Sequence, residues 1–322
     1  MACGYPRLLG DIGGTNARWA WQESADAPLQ NISVVPCDAS PSLYESAATY
    51  LASRGNARPR YAGIGIATTV DADEVRMTNH SWSFSIAELK RSLGVERCLV
   101  INDFTALAIS LPTLGPRDLL ALGGGRAVAG AAIGLLGPGT GLGVSGLLPG
   151  RNGGWSALSS EGGHSTLAPA DEEEAALLAI LRAELGHVSA ESVLSGPGLM
   201  NLYRALCLRA GQPALDLDPS GVTDAAIANT DPLCVETVRL FASFLGNVAG
   251  NLALTLGSRG GLYIGGGIVP RLGRAFDAAL FRRRFEEKGR FAEYLQAIPA
   301  WVITAAAPAL VGVSLALDDP PA

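Results

Sequence analysis

The stretch LLGDIGGTNARWAW, residues 8–21, decides how the rest of the chain is read. Its apolar start runs as a strand into Asp11, two glycines and Thr15 follow, and a second strand leaves at 17–22. Gly13 and Gly14 let backbone N–H groups approach a polyphosphate with no Cβ in the way, and Thr15 adds a hydroxyl donor. Asp11, at the strand end, suits a hydrated Mg²⁺ held through water. A plain hairpin turn that needs glycines would be written the same way, so the weight falls on what accompanies it.

A second glycine hairpin accompanies it. GPGTGLGV, residues 137–144, joins strands expected at 131–136 and 142–148 and carries Gly139, Thr140 and Gly141 at its tip. Taken alone it reads as a hairpin with several positive-φ positions. Neither loop fits GxxxxGK[ST], and neither places GxGxxG between a strand and a helix, which argues against a P-loop or a dinucleotide fold. Two such loops, each with a threonine, suit one phosphate chain gripped from two lobes.

Outward from these loops the chain alternates strands and helices. The pattern predicts strands at 32–37, 61–67 and 97–101, and helices at 42–54, 85–93 and after Asp103 up to Pro112. A proline- and glycine-flanked stretch at 111–125 is the boundary between two halves. Helices are expected at 171–185, 198–209, 231–256, 271–281 and 309–317, with strands at 261–264 and 301–304. Strands separated by helical crossovers demand a mixed sheet, so the fold class is α/β.

Composition bounds the function. The chain has 322 residues, 48% hydrophobic and 17% charged, which excludes disorder and leaves room for about two domains. Its formal charge of −6 argues against nucleic-acid phosphate as the main partner. Cys3, Cys37, Cys98, Cys207 and Cys234 are scattered, so neither a disulfide framework nor a structural zinc site is expected. With no apolar run near the start long enough for a signal peptide, the reading is cytoplasmic. Two uncharged stretches, 127–150 and 297–317, are interrupted by proline, the first also by glycine. They read as buried core rather than membrane spans.

Four further motifs carry chemistry. INDFTALA (101–108) ends a strand in Asn102-Asp103, where Asp103 serves either as a helix N-cap or as the acceptor of a substrate hydroxyl proton. EGGHSTLAP (161–169) and ESVLSGPGL (191–199) supply Glu161, His164 and Glu191. With Asn102 and Asp103 these suit a polyhydroxylated ligand, since carboxylates accept from vicinal hydroxyls while Asn and His both donate and accept. No third ligand follows Glu161 and His164 at metal-site spacing, and Glu191 alone reads equally as a solvated charge at a helix start. GGLYIGGGIVPRL (260–272) opens a strand into three glycines, a turn that also lets a flat ring lie against backbone.

In this order, with MTNHSWSFSIAELK (77–90) and FEEKGRF (285–291), these motifs resemble the bacterial glucokinases of enterobacterial type, in the hexokinase/actin-like ATPase superfamily. The resemblance spans nearly the whole chain. It implies two ribonuclease-H-like (actin-like ATPase) lobes of mixed sheet plus helices with an interlobe cleft, residues 1–113 with 305–322 forming the small domain and 114–304 the large one. It implies ATP-dependent, Mg²⁺-assisted phosphorylation of D-glucose by a homodimer, with Asp103 as the general base. Asn102, Asp103, Glu161, His164 and Glu191 would hold the sugar. Asp11, Gly13, Gly14 and Thr15 would form the first phosphate loop, Gly139, Thr140 and Gly141 the second, with Gly265 and Gly266 at the adenosine and Asp11 on Mg²⁺. The alternatives weighed are another hexose kinase, acting on fructose or mannose, and a catalytically silent sugar-binding regulator. One segment departs: IATTVDADEVRMTNH (66–80) has Thr68 and Thr69 where such proteins usually carry a proline, which bears on loop shape and sugar affinity.

Overall fold

The computed structural model describes residues 4–150 and 153–318; Cys3 lies outside them. The chain divides into two compact units, the first built from residues up to Leu114 with those from Ala305 on, the second Gly115–Thr304.

In the first unit, β1 (Arg7–Ile12), β2 (Asn16–Gln22) and β3 (Gln30–Pro36) form an antiparallel meander. Helix α1 (Leu43–Ser53) leads to β4 (Tyr61–Ile66), a small hairpin of β5 (Glu74–Arg76) and β6 (Ser83–Ser85), then α2 (Ile86–Leu93), β7 (Arg97–Asn102) and α3 (Asp103–Ser110). The sheet order is β3-β2-β1-β4-β7, and β1, β4 and β7 run parallel. Short polar side chains start these helices where backbone N–H groups lack partners. Ser42 accepts from Glu45 N, and Ser85 from Glu88 N.

The second unit opens with β8 (Leu119–Ala121), inside the stretch expected to be only a boundary. Then come β9 (Ile133–Pro138), β10 (Leu142–Pro149) and β11 (Trp155–Ala157), followed by α4 (Glu172–Leu185), α5 (Gly196–Ala210), α6 (Pro219–Ala228) and α7 (Pro232–Leu256). After β12 (Leu262–Ile264), the single helix expected at 271–281 is instead two. Helix α8 (Ile268–Leu272) stops at Gly273, whose φ of 51° breaks the helical path, and α9 (Ala278–Glu286) restarts under an Asp277 cap. Helix α10 (Ala292–Gln296) and β13 (Ala300–Ile303) complete a six-stranded sheet ordered β11-β10-β9-β12-β13-β8.

The chain then returns to the first unit as α11 (Pro308–Ala316), packed on α3 and on β1 and β4. Buried Arg7 fastens it, donating to Ser314 O at 2.7 Å and pairing with Asp318. Gly63 and Gly65 on β4 make room for it: a Cβ at Gly63 would lie 2.6 Å from Val313 Cγ1. Among the described residues one helix, α7, is long and apolar enough to cross a membrane, and 72% of its most apolar window is buried in the protein. The two uncharged stretches are strands β9 and β10, and β13 with α11.

Candidate active site

The first unit gathers its candidate residues at the carboxyl ends of its parallel strands, the edge where open α/β sheets bind ligands. Ile12 on β1, Ile66 on β4 and Asn102 on β7 stand in one row of the register, with Asp11, Gly65 and Ile101 in the row before. The Asp11 side chain is 13% exposed and receives a 3.0 Å bond from Arg18 Nη1, its partner across β2. Burial pushes its carboxyl up from the ordinary range, and Arg18 works the other way. Beyond Asp11, Gly13 N donates to Asn16 O at 2.9 Å and closes the turn, so this N–H serves the loop itself. Thr15 is exposed at the tip.

Asn102, not Asp103, is the N-cap of α3. Its Oδ1 accepts from Phe104 N and Thr105 N at 3.0 Å each, and its Nδ2 donates to Thr68 O at 3.3 Å and to Asp103 Oδ1 at 3.2 Å. A sugar contact by Asn102 would have to displace one of these bonds. Asp103 is the first helical residue, and its Oδ1 also accepts from Phe104 N at 2.9 Å. Two N–H donors thus fix the orientation of this carboxylate.

The second unit brings Glu161, His164, Glu191 and the second glycine hairpin together. His164 Nε2 lies 3.9 Å from Glu161 Oε2, and its Nδ1 3.9 Å from Glu191 Oε1. Glu191 is no solvated helix-start charge: its Oε2 accepts from Leu142 N at 2.7 Å, at the hairpin. Gly141 is glycine for this reason, since a Cβ there would lie 2.5 Å from Glu191 Oε2. The EGGH turn follows the same logic. A Cβ at Gly163 would overlap Leu142 O, and one at Gly162 would press on Val144.

The hairpin expected to need positive φ does not use it; Gly137, Gly139, Gly141 and Gly143 all lie outside the left-handed region. Gly139 N instead closes the turn on Gly141 O at 2.8 Å, and Gly139 O accepts from Gly196 N at the start of α5. That places the loop at a helix N-terminus, which favours anions. Gly265 N donates to Leu136 O at 2.8 Å. Gly266, at φ 77°, lies so close under Pro138 O that no side chain fits.

With this geometry in view, comparison with known proteins decides the family. The glucokinase family model matches residues 8–320. The chain belongs to the glucokinase family. It is 52% identical to the glucokinase of Aromatoleum aromaticum, covering 98% of this chain and 95% of that one. With the glucokinase of Chromobacterium violaceum it shares 50% identity over 98% and 90% of the two chains. Among solved structures, glucokinase from an Antarctic psychrotroph superposes with a TM-score of 0.85 at 35% identity, over 97% and 98% of the chains. The chain is accordingly an ATP-dependent sugar kinase of the actin-like ATPase fold.

Reading the glucokinase motifs in sequence missed the residues that fasten them. Cys37 N donates to Thr15 O at 2.9 Å and its thiol to Gly13 O at 3.4 Å, so the segment after β3 backs the first loop. The MTNHSW turn backs that segment in turn. Trp82 Nε1 donates to Ser40 O at 3.1 Å. Trp82 N–H donates to His80 Nδ1, which leaves the ring proton on Nε2 to donate to Asp38 Oδ1 at 3.1 Å. The motif marked the turn; nothing in its residue types announced what it touches.

Proposed function

We propose that this glucokinase-family chain transfers the γ-phosphoryl group of ATP to the C6 hydroxyl of D-glucose, with Asp103 as general base. The observation that carries the reading is the convergence on Glu191. One of its oxygens faces His164 and, through it, Glu161; the other is bonded to the hairpin backbone at Leu142. Sugar recognition and phosphate recognition share a side chain in one unit.

In the reaction, the C6 O–H bond breaks, its proton passes to the Asp103 carboxylate and its oxygen bonds to the γ-phosphorus. The γ-phosphorus–oxygen bond to the β-phosphate breaks, and ADP leaves. Backbone N–H groups of the two glycine hairpins and the α5 N-terminus offset phosphate charge. Gly265 and Gly266 present bare backbone to the adenosine. A single, largely buried carboxylate at Asp11 fits Mg²⁺, which keeps most of its waters and takes one or two carboxylates beside substrate phosphates. When bound it would neutralise charge on the transferring group. Among the described residues no cluster of three or more His, Cys, Asp or Glu forms a metal cage.

The same reading makes the protein a cytoplasmic homodimer. Among the described residues, Cys37, Cys98, Cys207 and Cys234 form no disulfide, which suits a reducing compartment. The test is ATP consumption measured against a panel of sugars. Glucose should drive ADP release; glucose binding without turnover would replace the enzyme by a silent regulator.

A further inference from the structure

We propose that Thr68 is a positioning residue for Asp103. The inference rests on the reading of Asp103 as the base and concerns what holds it in place.

The chain of bonds begins where β4 ends. Past Ile66 the chain turns, Ala67 N donating to Ile12 O at 2.9 Å and Thr68 N to Ile66 O at 2.8 Å. Thr68 is buried, at 7% exposure, and every polar group it has is used. Its hydroxyl donates to Arg76 O at 2.8 Å. A hydroxyl has one hydrogen, so the 3.1 Å contact with Thr78 Oγ1 is one that Thr68 accepts. These two bonds tie the turn to β5 and the residue pair beyond it. The Thr68 carbonyl, held by that tie, accepts from Asn102 Nδ2.

The orientation of the Asn102 amide is settled by its other end, because Oδ1 receives two backbone N–H groups of α3. Its nitrogen must therefore face Thr68 O and Asp103 Oδ1. One hydrogen goes to each. The path is continuous: Thr78 hydroxyl to Thr68 hydroxyl to the β5 backbone, and Thr68 carbonyl to Asn102 amide to Asp103 carboxylate. Without the Thr68 hydroxyl the turn loses its tie, its carbonyl shifts, and the amide no longer fixes the base against a sugar hydroxyl. Small displacements of a reacting group cost rate steeply.

The experiment is a set of variants assayed for glucose phosphorylation, with folding followed by thermal unfolding. Thr68→Val keeps the shape and removes the hydroxyl. It should lower kcat by about 10-fold or more, toward the ~10²-fold seen for ångström-scale misplacement, with the KM for ATP unchanged. Thr68→Ser should recover most of the loss. In an Asp103→Asn background Thr68→Val should add nothing further, because the group it positions no longer accepts a proton. Should Thr68→Val fold poorly, Thr78→Val, which removes only the hydroxyl donating to Thr68, should show the same kcat-only pattern at smaller size. Wild-type kcat in a folded Thr68→Val, equal losses in both backgrounds, or no recovery with serine would overturn the proposal. If Asp103→Asn itself keeps near wild-type kcat, the base assignment fails and Thr68 falls with it. If only Thr68→Val is silent, the base stands.

Discussion

Compared strand by strand, β3-β2-β1-β4-β7 in the first unit and β11-β10-β9-β12-β13 in the second repeat one scheme of two antiparallel pairings followed by two parallel ones. The match extends to single bonds. The residue after β4 donates to Ile12 O, and the residue after β12 donates to Leu136 O, so Ala67 corresponds to Gly265 and Thr68 to Gly266. What differs is how each unit spends the equivalent places. After β4 a threonine ties a turn and braces Asn102; after β12 a glycine lets backbone lie under Pro138 O. In the row before, Asp11 corresponds to Leu135. On the proposed roles, one frame carries the general base in one unit and the Glu161, His164 and Glu191 cluster in the other, the difference lying in a few side chains at strand ends and in the loops that follow them.

The largest effect expected from breaking this contrast lies in the first half. Asp103→Asn keeps the bonding shape of the side chain but removes proton acceptance. Loss of a general base costs about 10²–10⁴ in rate. Steady-state kinetics should show kcat falling on that scale while calorimetric glucose affinity weakens modestly.

The two hairpins should answer differently to a methyl group. Gly141→Ala drives a Cβ into Glu191 Oε2 and should cut kcat/KM for glucose by about 10–10²-fold, lowering Tm as the Leu142 bond is strained. At Gly13 the nearest atom to an added Cβ is Asn16 O at 3.5 Å, and φ is not left-handed. Gly13→Ala should therefore leave Tm unchanged, because its N–H can still close the turn on Asn16 O, and raise the KM for ATP by setting a methyl group where the phosphate chain is proposed to approach. A Tm loss at Gly13 as large as at Gly141 would erase the distinction.

The smallest effect concerns Asp11. Its carboxyl is shifted up by burial, so the folded state holds the proton more tightly than the unfolded chain and stability rises as pH falls through that pKa. At neutral pH the charged form is a cost to folding, and Asp11→Asn removes it. Thermal unfolding without nucleotide should show Tm higher by ~1–3 °C, and kinetics should show weaker use of ATP. A fall in Tm would mean that the Arg18 pair outweighs burial.

Much of this was legible in sequence because caps and periodicity act locally. Ser42, Ser85 and Asp171 start helices as their residue types require. The helix expected at 271–281 failed on a local conflict, a glycine and a capping aspartate inside an otherwise helical pattern. Strand β8 was hidden because three residues at a sheet edge carry no periodic signal, and its place comes from pairing with β13. The candidate residues stood out as motifs, yet their connections did not. Glu191 and Leu142 are 49 residues apart, and only the fold brings the carboxylate to the hairpin. Thr68 marked a departure from the family pattern without revealing that its carbonyl would meet Asn102.

The most direct test of the account is the ratio of kcat/KM for glucose to that for galactose, measured by ADP release from the unmodified protein. The two sugars differ in one hydroxyl, at C4. If Glu161, His164 and Glu191 read the hydroxyl pattern, the epimer leaves a polar side chain mismatched, and the ratio should exceed ~10² and approach ~10⁴ if water is excluded from the site. Comparable turnover of the two sugars would contradict the account and leave only a sugar kinase blind to the hydroxyls these residues were assigned.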